Sequence, residues 1–320
     1  MADMRKCGII GTGNVGAASA YTLAVSGLFS EVLLLDADMH RAEGEAADIA
    51  HGAALRRPCR VHAGGYADFA DCGLVILAAG TNQRPGETRE ALLGRNRAIL
   101  QSILEQLTAV NRDAVLLVVS NPVDVLTGYT LELSGFPAER VIGSGTVLDT
   151  ARIKCLLGEK LGVDSRNVHA FMLGEHGDTE LPAWSLTSIA GMGMDEYCSL
   201  CASCQGSLSQ TVRAEFDDKV RNAAYRIIEG KGATFYAVAL AVRRIVEAIL
   251  RDEQSILTVS SLLTGQYGLD GVCLSLPCIV GVNGVEQVLP IHLSDEEMAQ
   301  LRTSADAIRA AIRLMDEPVE

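Results

Sequence analysis

The chain has 320 residues, 48% of them hydrophobic, which is enough to fill a sizeable core in two domains or one large one. Its formal charge of −13, with no lysine- or arginine-rich run, argues against a nucleic-acid or anionic-membrane surface and toward a small-molecule partner. Nine cysteines, an odd number, do not suit a disulfide framework, the opening MADMRKCGIIG lacks the apolar core of a signal peptide, and no apolar window is long enough to span a bilayer. We therefore expect a cytoplasmic protein in a reducing compartment.

In chain order, short apolar runs (CGIIG, EVLLLD, LVILAAG, AVLLVVSNP and RVIGS) alternate with helical patterns such as residues 95–110. Runs so uniformly apolar predict strands buried on both faces, hence an α/β fold with a doubly wound parallel sheet over residues 1–143. Residues 144–320 predict an α+β domain: helices over 150–161 and along the stretch 213–251, then strands in SILTVSSLL and VCLSLPCIVG. Ser294 and Glu297 form a capping box for a last helix, whose Met298, Leu301, Ala305, Ile308, Ile312 and Met315 recur on one face.

The first turn, GIIGTGNVG, places Gly11, Gly13 and Gly16 between a strand and a helix. Gly11 suits a tight turn, Gly13 lets backbone approach a pyrophosphate, and Gly16 lets the helix pack on the strand with its amides facing the anion. The next strand ends in Asp36, twenty residues beyond Gly16, where a carboxylate accepts from ribose hydroxyls and repels a 2′-phosphate. This favours NAD over NADP, although Arg41 nearby keeps NADP open, and a plain glycine turn that binds no nucleotide is a further alternative. Further along, AAGTNQRPGETR leaves a strand into a polar loop of the kind that closes over a site. Asn121 in SNPVD ends a strand at the sheet edge where such folds bind ligands, and Asp149 and Arg152 sit three apart on a helix face, where a simple ion pair is an equal reading. His176, in MLGEHGDT, lies among carboxylates and glycines and by itself reads more readily as a loop residue than as a catalyst.

Taken together, GTGNVG, Asp36, NQRPGETR, SNPVD, LDTAR and GEHGD resemble, in order and spacing, the motifs of the lactate/malate dehydrogenase family, and the likeness runs along the whole chain, nearest to bacterial L-lactate dehydrogenases. The resemblance implies a Rossmann NAD domain followed by a substrate domain, in a homo-oligomer expected to be a tetramer. It implies His176 as proton donor and acceptor, Asp149 as the carboxylate that orients it, Arg152 as the planar fork for the substrate carboxylate, and Arg89 on the mobile loop as the group that polarises the C2 oxygen. It places Gln83, Asn121, Asp124 and Thr234 around the substrate. It places Gly11, Gly13, Val15, Gly16, Asp36, Arg41, Tyr66, Gly80, Thr81, Ser102, Asn121 and Ser144 around NAD. The family's malate enzymes carry arginine where this chain has Gln83, so pyruvate and lactate are the expected pair, with adjacent Arg84 keeping malate open. A metal-dependent glycosidase and a non-enzymatic NADH-binding protein are weaker readings, since neither needs His176, Asp149, Arg152, Arg89 and Asn121 together.

Two features need separate expectations. Cys198, Cys201 and Cys204 are spaced by three, as if along one helix, but no fourth ligand adjoins them, so we expect small hydrophobes rather than a metal site. Bacterial relatives bind fructose 1,6-bisphosphate through an arginine and a histidine; His169 matches the histidine, while Lys154 replaces the arginine and loses its bidentate fork. The resemblance thus implies an effector site that is absent or weakened.

Overall fold

The computed structural model describes residues 2–56, 58–81, 89–201 and 210–316. The first half runs β1 (Asp3–Ile10), α1 (Asn14–Ser26), β2 (Glu31–Leu35), α2 (Met39–Ala53), β3 (Arg60–Ala63), β4 (Cys72–Leu77), α3 (Arg89–Val110), β5 (Val115–Val118), α4 (Val123–Ser134) and β6 (Val141–Gly143). The second half begins with α5 (Val147–Leu161) and the short strands β7 (Val168–His169), β8 (Met172–Leu173), β9 (Leu181–Pro182), β10 (Ser188–Ile189) and β11 (Met192–Gly193). It continues with α6 (Met194–Leu200), α7 (Gln210–Arg221), α8 (Ala223–Lys231), α9 (Tyr236–Leu250), β12 (Ser255–Thr264), β13 (Asp270–Gly281), β14 (Gly284–Val288) and α10 (Asp295–Asp316).

The first six strands are parallel, in the order β3-β2-β1-β4-β5-β6, so the chain winds outward from β1 in one direction and then the other. Such an order leaves a crevice at the carboxyl ends of β1 and β4, where it reverses. Every residue of β4 and β5 is buried, because helices cover both faces. Alternate side chains take opposite faces: Ile9, Leu34 and Ile76 pack with Leu23 of α1, Ile49 of α2 and Ile245 of α9. Ile10, Leu35 and Leu77 pack with Leu104 of α3, Leu126 of α4 and Leu301 of α10. Leu301 is fully buried at the centre of the α10 stripe, and truncating such a residue to alanine typically costs about 2–5 kcal/mol.

The second half extends the same sheet. β12 runs antiparallel to β6, with Ser260 opposite Gly143, and the β12-β13-β14 meander brings the sheet to nine strands. A satellite core of Ile153, Leu157, Val168, Met172, Met194 and Phe216 joins α5, α6 and α7 to the short strands. The anticipated capping box is present, with Ser294 N donating to Glu297 Oε2 at 2.9 Å and Glu297 N to Ser294 Oγ at 3.2 Å. The stretch 213–251 differs from one continuous helical reading: α7 ends at Arg221 and α8 ends at Gly232, whose φ of +82° is the left-handed cap that stops a helix.

The cysteine pattern is corrected as well. Cys198 is buried within α6, but the helix ends at Leu200 and Cys201 caps it in an extended conformation. The two thiols therefore do not continue down one helix face, and Cys204 lies outside the described residues. Among the described residues no group of cysteine sulfurs is spaced to hold a metal, and no helix is long and apolar enough to cross a membrane.

Candidate active site

The crevice at β1 and β4 is built by the glycine turn. Gly11 has a φ of +98°, and a side chain there would meet the Ala79 amide nitrogen at 2.4 Å, so the close crossing of β1 and the β4 exit needs glycine. A Cβ on Gly16 would lie 1.8 Å from the Gly11 carbonyl oxygen, so only glycine lets α1 start against the turn. Gly13 differs, because a Cβ there would meet nothing within 4 Å. Its backbone borders open space in front of the N-terminus of α1, the cradle that a pyrophosphate needs.

Asp36, at the end of β2, is fixed beside that cradle. Its Oδ2 accepts from Thr12 N at 2.6 Å and Thr12 Oγ1 at 3.1 Å, and its Oδ1 accepts from Asp38 N at 3.0 Å. Burial works against its charge, but these donors and the nearby Arg41 hold the carboxyl below its ordinary range. An ionised acceptor with free lone pairs at this position suits ribose hydroxyls. Val15 sits in the first turn of α1, half-buried, and Tyr66 follows β3, also half-buried. Arg41 and Ser102 are exposed on α2 and α3, and Ser144 follows β6, its amide donating to Val118 O at 2.9 Å. Asn96 of α3 ties two further expected groups together: its Oδ1 accepts from Thr81 N at 2.9 Å, and its Nδ2 donates to Asn121 O at 3.3 Å. A Cβ on Gly80 would come 3.7 Å from the same Asn96 oxygen.

The proton-transfer group is assembled from α5 and the β8–β9 connection. His176 Nδ1 lies 2.7 Å from Asp149 Oδ2, and Arg152 Nη1 donates to Asp149 Oδ1 at 2.6 Å. Asp149 thus meets Arg152 and His176 through different oxygens of one carboxylate. With Nδ1–H donated to Asp149, His176 presents Nε2 as its other nitrogen. Asp149 is almost wholly buried; burial opposes its charge, yet His176 and Arg152 hold its carboxyl below the usual range. Burial likewise opposes the imidazolium, but the Asp149 charge and hydrogen bond outweigh it and raise His176 to about 9.

The main chain around His176 is clamped from three sides. Its amide donates to Asp124 Oδ2 at 2.7 Å, from the first turn of α4. Asp124 is 2% exposed, and burial pushes its carboxyl up to about 6. Asp124, expected against substrate, is here seen fixing the His176 backbone. Ser304 of α10 accepts from Glu175 N at 2.6 Å and shares a hydrogen bond with Thr179 Oγ1 at 3.2 Å, while Thr179 donates to the Glu175 carboxylate. Gly174 pairs in both directions with Ser275 of β13. Asp178, nearer to His176 in sequence than Asp149, instead accepts from the Tyr225 hydroxyl at 3.3 Å.

Thr81, Asn96, Asn121, Glu175, His176, Thr179 and Tyr225 line a common cleft of about 870 Å³ between α3, the His176 turn and α10. Thr234 is half-buried between α8 and α9 and does not line it. Gln83 lies outside the described residues, as does the side chain of Arg89, whose backbone opens α3. Lys154 borders a separate cavity of about 400 Å³ between α5, α9 and β12, with burial lowering its pKa, whereas His169 is exposed on β7 and is not part of that lining.

A nucleotide cradle, an ionised acid beside it and a His–Asp–Arg chain whose histidine lines the cleft are the equipment of a 2-hydroxy-acid dehydrogenase, and comparison with known proteins agrees. Residues 5–143 match the NAD binding domain of lactate/malate dehydrogenases, and residues 146–318 match their alpha/beta C-terminal domain. The chain belongs to the lactate/malate dehydrogenase family. It is 53% identical over 313 residues to the L-lactate dehydrogenase of Acetivibrio thermocellus, covering 98% of each chain. It is 52% identical over 308 residues to L-lactate dehydrogenase 1 of Clostridium acetobutylicum, covering 96% of this chain and 97% of that one. Two solved lactate dehydrogenase structures share its fold. One, from a Medee basin deep-sea metagenome library, superposes with a TM-score of 0.95 at 39% identity over 99% of this chain and 100% of that one. The other, the minor L-lactate dehydrogenase of Enterococcus mundtii, gives 0.93 at 40% identity over 98% and 99%.

Several residues of this family site escaped the sequence reading. Thr12 lies inside the glycine motif without being one of its glycines. Asn96 is a buried polar residue in the apolar run of α3, and Ser304 interrupts the apolar stripe of α10 beside Leu301 and Ala305; a polar residue on a core face was the available signal in both cases. Glu180 directly precedes the buried Leu181-Pro182-Ala183 run, and was visible only as an acid joined to an apolar segment.

Proposed function

We infer that this chain is an L-lactate dehydrogenase, reducing pyruvate to (S)-lactate and catalysing the reverse reaction, with NAD as cofactor. The observation that carries this reading is the Arg152–Asp149–His176 chain, held at 2.6 and 2.7 Å, with His176 lining the cleft. NADH, when bound, supplies the hydride. His176, as imidazolium, gives its Nε2 proton to the C2 oxygen, and Asp149 keeps the ring oriented and its positive charge compensated. Arg152 offers the rest of its donor fork to the substrate carboxylate, because among the described residues only its Nη1 is engaged, with Asp149 Oδ1. In lactate oxidation the neutral imidazole takes the hydroxyl proton, so that direction gains as pH rises toward about 9 while pyruvate reduction loses.

Arg89 closes over the C2 oxygen, Asn121 donates to it, Gln83 faces the C3 group and Thr234 borders the bound substrate in this reading. Gly11, Gly13, Val15, Gly16, Asp36, Arg41, Tyr66, Gly80, Thr81, Ser102, Asn121 and Ser144 receive NAD, and residues 1–143 and 144–320 divide the cofactor and substrate roles. The working enzyme is a cytoplasmic homotetramer at the fermentative end of glycolysis. Lys154 and His169 form at most a weak site for fructose 1,6-bisphosphate, because lysine attracts a phosphate without the two-pronged bond of arginine. Following NADH absorbance with pyruvate and, separately, oxaloacetate tests the function. Faster turnover of pyruvate supports it, and preference for oxaloacetate or no turnover of either overturns it.

A further inference from the structure

Glu180 closes the turn that carries His176. Its amide donates to Gly177 O at 3.3 Å, and its own carbonyl accepts from Arg221 Nε of α7 at 3.2 Å. The residue is 2% exposed, and among the described residues no hydrogen-bond donor reaches its carboxyl group. A carboxyl oxygen of Glu180, an oxygen of Asp149 and a ring nitrogen of His176 all lie within 4.8 Å of one another. Two acids and a histidine this close cannot titrate independently.

The surrounding charges determine which acid is ionised. Asp149 has Arg152 and His176 as direct partners; Glu180 has neither, and it faces Asp149, His176 and Arg152 on one side and Arg221 on the other. The Arg221 guanidinium is also shared with Asp217 on its own helix. Asp124 accepts from the His176 amide and adds a further acid near the residue. The imidazole, in contact with the Asp149 carboxylate, thus already has its counter-charge. A third carboxylate charge would bind the His176 proton too tightly for release to substrate, and would repel the substrate carboxylate approaching Arg152.

We propose that Glu180 is a charge-setting member of the proton-transfer centre: it remains a neutral carboxylic acid while His176 exchanges protons with substrate, and its ionisation in alkali stops pyruvate reduction. The proposal rests on the lactate dehydrogenase reading. Burial, followed by the Asp149 charge, pushes the Glu180 carboxyl up to about 9, consistent with that geometry. Glu180 touches no reacting atom and acts through His176, so it is a positioning residue.

Two measurements test the assignment. First, kcat/KM for pyruvate in the wild-type protein is expected to fall as the square of the proton concentration on the alkaline side, because His176 and Glu180 must both keep a proton. Glu180→Gln keeps a neutral side chain of similar shape. It is expected to lower kcat/KM at neutral pH by less than about tenfold and to change the alkaline fall to the first power. A first-power fall in the wild type, or an unchanged exponent in the variant, overturns the proposal. Second, infrared spectroscopy of wild-type protein with isotope-labelled glutamate is expected to show a protonated-carboxyl C=O band at neutral pH that disappears in Glu180→Gln. Its absence from the wild type overturns the proposal even if the variant does not fold. The infrared result is independent of turnover, so a protein that ignores pyruvate yet shows the band would sink the dehydrogenase reading while leaving Glu180 neutral.

Discussion

Replacing Asp149 with asparagine keeps the shape of the buried side chain and removes the charge that faces His176 at 2.7 Å. In the intact site that charge holds the imidazole at about 9 against the cost of burial, compared with an ordinary value of 6.5. Without it, burial alone acts on the ring, and its pKa falls to 6.5 or lower. The difference is at least about 2.5 pH units, or about 3 kcal/mol of imidazolium stabilisation at about 1.4 kcal/mol per unit; the His176 side chain is only 27% exposed, so solvent screens little of it. At pH 7 the proton-donating form then drops from nearly all of the enzyme to about a quarter or less. Loss of the acceptor also frees the ring to adopt the wrong tautomer, which adds a fall in kcat of about 10²–10⁴-fold, the range of general acid–base catalysis. The sign follows from the reaction. Reduction needs imidazolium, so its alkaline limb should move from near 9 in the wild type to about 6.5 or below in Asp149→Asn. Oxidation of lactate needs neutral imidazole, so its acid limb should move the same way. The assay is kcat/KM for pyruvate and for lactate across pH in both proteins. Limbs that stay in place would refute the reasoning, because His176 would then owe its pKa to some other group.

Other consequences can be checked with single substitutions. Gly13→Val should fold with its wild-type melting temperature but lose NADH affinity by about 100-fold or more in a fluorescence titration, since the added atoms enter open space reserved for phosphate; Gly16→Ala should destabilise the protein itself, because its Cβ would lie 1.8 Å from the Gly11 carbonyl oxygen. Gln83→Arg should shift the oxaloacetate-to-pyruvate ratio of kcat/KM upward by two to three orders of magnitude, from the about 3–5 kcal/mol separating a paired from an unpaired buried carboxylate. An unchanged ratio would assign the C3 group to another residue. Ser304→Ala strands the Glu175 amide that now donates at 2.6 Å, so it should lower stability by about 1–3 kcal/mol in denaturant unfolding and loosen the His176 turn.

The legible part of this molecule was the part governed by local rules. Buried parallel strands show as unbroken apolar runs, so β1, β2, β4, β5 and β6 could be read directly. β3 (RVHA) and β14 (GVEQV) could not, because edge strands mix polar and apolar residues as their partial exposure allows. The breaks at Asn222 and Gly232 were hidden within a helical periodicity that continues on either side of them. His176 and Asp149 were named from motif order, and the structure brings them together across 27 positions of sequence. SNPVD reveals that an acid is present but not that Asp124 accepts from the His176 amide across 52 positions of sequence. Ser304 and Asn96 act across the chain through side-chain hydrogen bonds, contacts that leave no periodic trace in sequence.

The central claim, that His176 couples proton transfer to hydride transfer onto pyruvate, is tested most directly by isotope tracing. The purified protein would be mixed with pyruvate and NADH deuterated on both C4 positions, and the product examined by mass spectrometry and chiral chromatography. The expected product is (S)-lactate carrying one deuterium on C2, with its formation falling by several orders of magnitude in His176→Gln while NADH still binds. Lactate without deuterium, the (R) enantiomer, or wild-type rates in His176→Gln would contradict the account.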